Sequence, residues 1–166
     1  MANDVKLLLV EDNPMVLGML QQALSPLAVV TAASESADAL LKAVDDPPDL
    51  VVCDYRLPGM DGRQLIEKLK SRPKTANFSA VLMANKADIA ERLSPQDAAD
   101  DYLEKPFFLR EAVKRIKRMI DRAASMSLDE ALDYEVFMQE AAGRTQDYTN
   151  AVEAFKEKRK PEYTGK

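Results

Sequence analysis

The chain has 166 residues, 23 Lys and Arg against 28 Asp and Glu, a net charge of −5, one cysteine and no histidine. That length suits one domain with an appendage. The lone cysteine cannot form an internal disulfide, and the lack of histidine argues against zinc-hydrolase and serine-triad chemistry. Apolar runs are far shorter than the roughly twenty residues of a bilayer span, and no leader-like stretch precedes Val5, so a cytoplasmic protein with no membrane association is expected.

The first apolar run, Val5-Lys6-Leu7-Leu8-Leu9-Val10, reads as a buried strand and ends on Glu11 and Asp12. Asn13-Pro14 reads as an N-cap and a first-turn proline, after which Val16, Leu17, Leu20 and Leu24 recur at helical spacing until Ser25-Pro26. Val29-Val30-Thr31 is a second strand. Ser34 is expected to cap a helix through Ala37, Leu40, Leu41 and Val44, which Asp45-Asp46-Pro47-Pro48 stops. Leu50-Val51-Val52-Cys53 is the third strand, with Asp54 directly after it. A turn-rich loop, Leu57-Pro58-Gly59-Met60-Asp61-Gly62, leads into a helix carrying Leu65, Ile66 and Leu69. Residues 80–83 read as strand four, about 88–93 as a weak Ala-rich helix, and Tyr102-Leu103 as strand five, followed by Lys105-Pro106. Leu109, Val113, Ile116 and Ile120 form the apolar stripe of a fifth helix.

Strands alternating with helices imply an α/β fold with a doubly wound five-stranded parallel sheet. In such sheets the ligand site lies outside the carboxyl ends of the strands, which is where Glu11, Asp12, Asp54 and Lys105 fall. Three clustered carboxylates repel one another and need a cation, a lysine or a proton. Oxygen ligands of this kind suit Mg²⁺, which keeps positions open for phosphate oxygens. Asp54 is then placed to act as a nucleophile toward phosphorus, with Lys105 as the point charge that pairs with the phosphoryl oxygens.

These motifs resemble the receiver (CheY-like) domains of two-component response regulators, a flavodoxin-like fold. The matching residues are Glu11-Asp12, the loop Asp54-Tyr55-Arg56-Leu57-Pro58-Gly59-Met60-Asp61-Gly62, and Asp101-Tyr102-Leu103-Glu104-Lys105-Pro106-Phe107, within about 5–122. The resemblance implies a phosphoprotein in phosphorelay signal transduction. Asp54 would accept a phosphoryl group from a sensor histidine kinase or phosphotransfer protein, with Mg²⁺ on Glu11, Asp12, Asp54 and the backbone carbonyl of Arg56. It also implies a cis Lys105-Pro106 bond, and a signalling switch rather than a metabolic enzyme.

The chain departs from the family at one point. Receivers place a Ser or Thr hydroxyl and then a small residue at the end of strand four, where this chain has Ala84 and Asn85. Alanine cannot donate the hydrogen bond that draws this segment toward a phosphoryl group, so the coupling should be weakened. Asn85 could supply a substitute amide donor or narrow the pocket by its bulk. Tyr102 holds the position of the family's switch aromatic, whose rotation would then be uncoupled or permanently set.

The division expected is a receiver at 1–124 and a helical extension at 125–166. An Ala/Ser/Met link should lead into a capping box, Ser127-Leu128-Asp129-Glu130, starting a helix that Gly143 ends. A second short helix is expected at about 149–158. This net acidic tail has no helix-turn-helix pattern or basic stripe, which argues against a DNA-binding output. Residues 151–165, from Ala151-Val152-Glu153-Ala154-Phe155 to Pro161-Glu162-Tyr163-Thr164-Gly165, resemble the carboxyl-terminal end of crotonase-family enoyl-CoA hydratases. That resemblance implies a helical surface for self-association or docking, without the hydratase's catalytic core.

Simpler explanations stand beside these. Glu11, Asp12 and Asp54 each precede a helix or turn, where an acid can serve as a cap. Cys53 reads as core packing. The basic run Arg110, Lys114, Arg115, Lys117, Arg118 and Arg122 reads as a solvated helix face. Two other functions stay open: a receiver-fold interaction module that no longer switches, favoured by Ala84 and Asn85, and a remnant of an acyl-CoA hydratase fusion.

Overall fold

The computed structural model describes the backbone of residues 4–92 and 99–142 and the side chains of 4–90 and 99–125. The chain divides into two compact units, Met1–Ala124 and Ser125–Lys166. The first holds a five-stranded sheet, β1 (Lys6–Val10), β2 (Val29–Ala33), β3 (Leu50–Asp54), β4 (Ser79–Asn85) and β5 (Asp101–Lys105). All ladders are parallel, in the order β2-β1-β3-β4-β5. The order reverses between β1 and β3, so their carboxyl ends flank the crevice where such sheets bind ligands.

Alternation along the strands explains the two cores. Leu7 and Leu9 of β1, Val52 of β3 and Met83 of β4 face one side, where they pack with Leu20 and Leu24 of α1 (Pro14–Leu24) and Ile116 and Ile120 of α5 (Leu109–Ala142). Leu8, Val10, Val51 and Cys53 face the other, against Ala39 and Ala43 of α2 (Ser36–Asp45) and Leu65, Ile66 and Leu69 of α3 (Gly62–Lys70). With helices on both faces, β3 is buried along its whole length, as its unbroken apolar run foretells. Cys53 is buried in this second core, and burial raises the thiol well above its ordinary range. α4 (Lys86–Arg92) follows β4 directly.

Local chemistry sets the entries to the helices. Asn13 caps α1, its Oδ1 accepting from the N–H groups of Met15 at 3.0 Å and Val16 at 3.2 Å. Asp61 caps α3 in a reciprocal box with Gln64. Gly62 is required at the first position of α3, because a Cβ there would meet the backbone oxygen of Asp54 at 2.3 Å. Gly59 takes a positive φ of 79° in the preceding turn.

Three expectations are corrected. Ser34 does not cap α2: the helix begins a residue later than it would need, with Glu35 at the N-cap and its carbonyl accepting from Ala39 N–H at 3.1 Å. The neighbouring Ser36 hydroxyl donates instead to the carbonyl of Met60 at 2.6 Å. The link and capping box at 123–130 do not break the chain, since α5 runs unbroken over Leu109–Ala142. No glycine or proline occurs in that stretch, and a serine favours a cap only where the backbone leaves the helix. α4 starts at Lys86, two residues before the expected 88, because Asn85 Oδ1 accepts from Asp88 N–H at 2.8 Å. The expected helix at 149–158, Gly143, and the crotonase-like stretch at 151–165 lie outside the described residues. Among the described residues, no helix is long and apolar enough to cross a membrane.

Candidate functional site

Glu11 leaves the end of β1 with its N–H donating to Ala33 O at 3.1 Å, which holds its side chain over the sheet edge. Asp54 ends β3, and Lys105 ends β5. Glu11 is 1% and Asp54 6% exposed, while Asp12 is open to solvent. One carboxylate oxygen from each of Glu11, Asp12 and Asp54 lies within 4.8 Å of the others. Lys105 Nζ is 2.8 Å from Glu11 Oε2 and 3.2 Å from Asp54 Oδ2. The lysine therefore sits between the two buried acids.

The electrostatics follow from that placement. Burial raises the Glu11 carboxyl above its usual range, and the charge of Asp54 adds to the effect, opposed by Lys105 and by the Asn13 N–H. Burial likewise raises Asp54, opposed by Lys105 and the Arg56 N–H, with Asp12 pushing the same way as burial. Burial pulls the Lys105 ammonium down, but Glu11 and Asp54 together more than offset it, so its pKa is raised. Crowded carboxylates with raised pKa values are what a hard cation relieves. The donor set is oxygen only, so the cluster fits a metal ion of the Mg²⁺ type.

The expected switch positions fall around this edge. Ala84 is buried in the second core, in register with Glu104 of β5. Asn85 pairs with Lys105 in the ladder, and its side-chain oxygen is engaged in capping α4. Tyr102 is half-buried beside the second core, and its carbonyl accepts from Arg115 Nη1 at 2.9 Å. Lys105-Pro106 is a cis peptide bond, as the resemblance implies.

One relationship was not foreseen. The Arg56 guanidinium, two residues after Asp54, forks onto Asp88 of α4, Nε to Oδ2 at 2.7 Å and Nη2 to Oδ1 at 2.9 Å. The residues are 32 apart, and no periodicity joins them. The only sequence signal was Asn85 three residues before Asp88, a capping pattern.

An apolar cleft of about 410 Å³ adjoins the site. Val16, Met19 and Leu20 of α1 line it together with Lys105, Phe107 and Leu109.

Residues 7–117 match the response regulator receiver domain family. The chain belongs to that family. It is 30% identical over 132 residues to the phosphate regulon transcriptional regulatory protein PhoB of Escherichia coli (strain K12), covering 78% of this chain and 58% of PhoB. It is 32% identical over 118 residues to the transcriptional regulatory protein HprR of the same organism, covering 70% of this chain and 52% of HprR. The chain thus spans somewhat more than half the length of these curated relatives. Among solved structures, a protein from Chloroflexus aurantiacus J-10-fl assigned to the response regulators aligns with a TM-score of 0.63 and 32% identity, over 71% of this chain and 98% of that one. The expected flavodoxin-like receiver fold is therefore the one observed, and receiver domains are signalling modules.

Proposed function

We propose that this receiver takes a phosphoryl group onto Asp54 from a phosphohistidine of a sensor kinase or phosphotransfer protein, in the cytoplasm. The observation that carries this reading is Lys105 Nζ lying within 3.2 Å of Asp54 and 2.8 Å of Glu11 at the carboxyl edge of the sheet. An Asp54 carboxylate oxygen forms a bond to phosphorus while the phosphorus–nitrogen bond to the donor imidazole breaks, its electron pair returning to that nitrogen. Lys105 is placed to neutralise phosphoryl oxygens, and water has little access to a carboxylate 6% exposed.

Glu11, Asp12 and Asp54, with the carbonyl of Arg56, would hold Mg²⁺. The ion's contribution when bound is to offset charge on the acids and the transferring group. The apolar cleft beside Lys105, with Met15 and Phe108 exposed nearby, offers an apolar landing place for the phosphodonor protein.

The output is protein contact rather than DNA binding. We assign 1–124 to the receiver and 125–166 to an extension whose crotonase-like stretch supports self-association. A receiver that is only bound and never switches is the second reading, favoured by the methyl group of Ala84. A remnant acyl-CoA hydratase has no catalytic core to support it.

Borohydride reduction after treatment with a small acyl phosphate and Mg²⁺ tests the assignment. An aspartyl phosphate is reduced to homoserine, which peptide mapping should find at position 54. Homoserine at Asp12, or at no position, would refute it.

A further inference from the structure

Arg56 is tied down through both its backbone and its side chain. Its N–H donates to the carboxylate of Asp54. Its guanidinium forks onto Asp88, Nε to Oδ2 at 2.7 Å and Nη2 to Oδ1 at 2.9 Å. The carbonyl of the same residue is the backbone oxygen assigned above to Mg²⁺. One residue thus carries a donor to the acceptor and a ligand for the ion, and its side chain ends on α4.

The two ends of the fork are unequal. The Arg56 side chain is 64% exposed, so packing does little to hold it, whereas that of Asp88 is 3% exposed. Asp88 is also fixed through its backbone, its N–H donating to Asn85 Oδ1 at 2.8 Å. β4, which α4 follows directly, is in register with β3 through Asp54 and Met83. Asp88 is therefore the fixed end, anchored to the same pair of strands that carries the acceptor. Two bonds from one planar guanidinium set orientation as well as distance, whereas a single bond leaves the side chain free to swing.

We propose that Asp88 is a positioning residue of the acceptor site: its fork on Arg56 sets where the Arg56 backbone stands against Asp54, and with it the N–H on the acceptor carboxylate and the carbonyl for Mg²⁺. The inference rests on the acceptor and Mg²⁺ readings of the site. Asp88 is no member of the carboxylate cluster and acts through Arg56. A small ion that demands near-ideal octahedral geometry is sensitive to the placement of each ligand, and groups that orient ligands from outside are worth about 10–100-fold in metal affinity.

The test is a double-mutant cycle on the full chain, with Asp88→Asn, Arg56→Met and the two combined. Mg²⁺ affinity is read by calorimetry, exchange of the Arg56 amide in EDTA, and adduct formation with a small acyl phosphate by intact mass. Asp88→Asn should weaken Mg²⁺ by about tenfold and slow adduct formation. Without metal, the Arg56 amide should exchange about tenfold faster in that variant than in the parent chain. In the Arg56→Met background the same substitution should change the Mg²⁺ affinity by less than about twofold, because the fork through which Asp88 acts is already gone. An effect that persists undiminished in that background belongs to the charge of Asp88 or to its other contacts and would overturn the proposal. So would an Asp88→Asn chain with the Mg²⁺ affinity and Arg56 exchange of the parent, while a parent that still takes the adduct leaves the acceptor reading intact. Should Asp88→Asn not fold, Arg56→Lys keeps the cation and loses the fork, and parental Mg²⁺ affinity in that variant would count against the proposal. If the parent neither binds Mg²⁺ nor takes an adduct, the acceptor reading and the positioning role fall together.

Discussion

Lys105 bridges Glu11 and Asp54, its Nζ 2.8 Å from one carboxylate and 3.2 Å from the other, although 94 residues separate it from Glu11. The bridge closes the sheet edge between β1, β3 and β5. It also offsets the charge of Asp54.

Replacing that lysine leaves Glu11 buried without its cation. Lys105→Met should lower stability in metal-free solution by about 1–3 kcal/mol, measured by urea unfolding. Adding Glu11→Gln should recover most of the loss, because a neutral amide no longer needs the ammonium. The same Lys105→Met chain should be phosphorylated more slowly than the parent.

The acids themselves set an unusual pH dependence. Asp54 and Glu11 have raised pKa values, due first to burial, so the folded state holds protons more tightly than the unfolded chain. Stability of the metal-free chain should therefore fall as pH rises from the ordinary carboxylate range through the raised values, the reverse of an acid whose pKa the fold depresses. Asp54→Asn should stabilise the chain at neutral pH, with a gain that shrinks in acid. Chemical denaturation in EDTA across that range checks both, and a gain that grows in acid would contradict the assignment.

Gly62 is fixed by the approach of α3 to the acceptor. Gly62→Ala would place a methyl carbon 2.3 Å from the Asp54 carbonyl and 2.9 Å from Leu82 Cδ2. Backbone must shift to relieve this, so a loss of about 1–3 kcal/mol is expected, together with slower phosphorylation because Asp54 itself is displaced. Thermal unfolding and the rate of adduct formation report the two effects separately.

Ala84 gives a prediction of opposite sign for loaded and unloaded chains. Ala84→Ser puts a hydroxyl at a position 2% exposed, costing about 1–3 kcal/mol where it finds no partner. On loading, the phosphoryl group becomes an acceptor for it. The Tm difference between loaded and unloaded forms should therefore be larger in Ala84→Ser than in the parent chain.

What the sequence made legible was whatever local pattern or strand-end position determines. β1 and β3 stood out because both faces of a central parallel strand are buried, leaving unbroken apolar runs that end on Glu11 and Asp54. β5 showed only as Tyr102-Leu103, because it lies at the sheet edge and its pairing from Asp101 to Lys105 depends on backbone bonds to β4 rather than on side chains. Ser34 misled because its side chain suits a cap, whereas α2 starts at Ser36 behind Glu35, whose side chain makes no capping bond. The Asp61–Gln64 box is legible at its fixed spacing of three residues. The Arg56–Asp88 fork had no such spacing: it exists only because β3 and β4 are neighbours in the sheet and deliver their following segments to the same edge.

The most direct measurement of the central claim is intact mass after incubation with a small phosphodonor and Mg²⁺, comparing the parent chain with Asp54→Ala and with an EDTA control. A single phosphoryl adduct on the parent, absent from both controls, is the predicted result. An adduct of equal yield on Asp54→Ala, or none on a parent chain that still binds Mg²⁺, would contradict Asp54 as the phosphoacceptor.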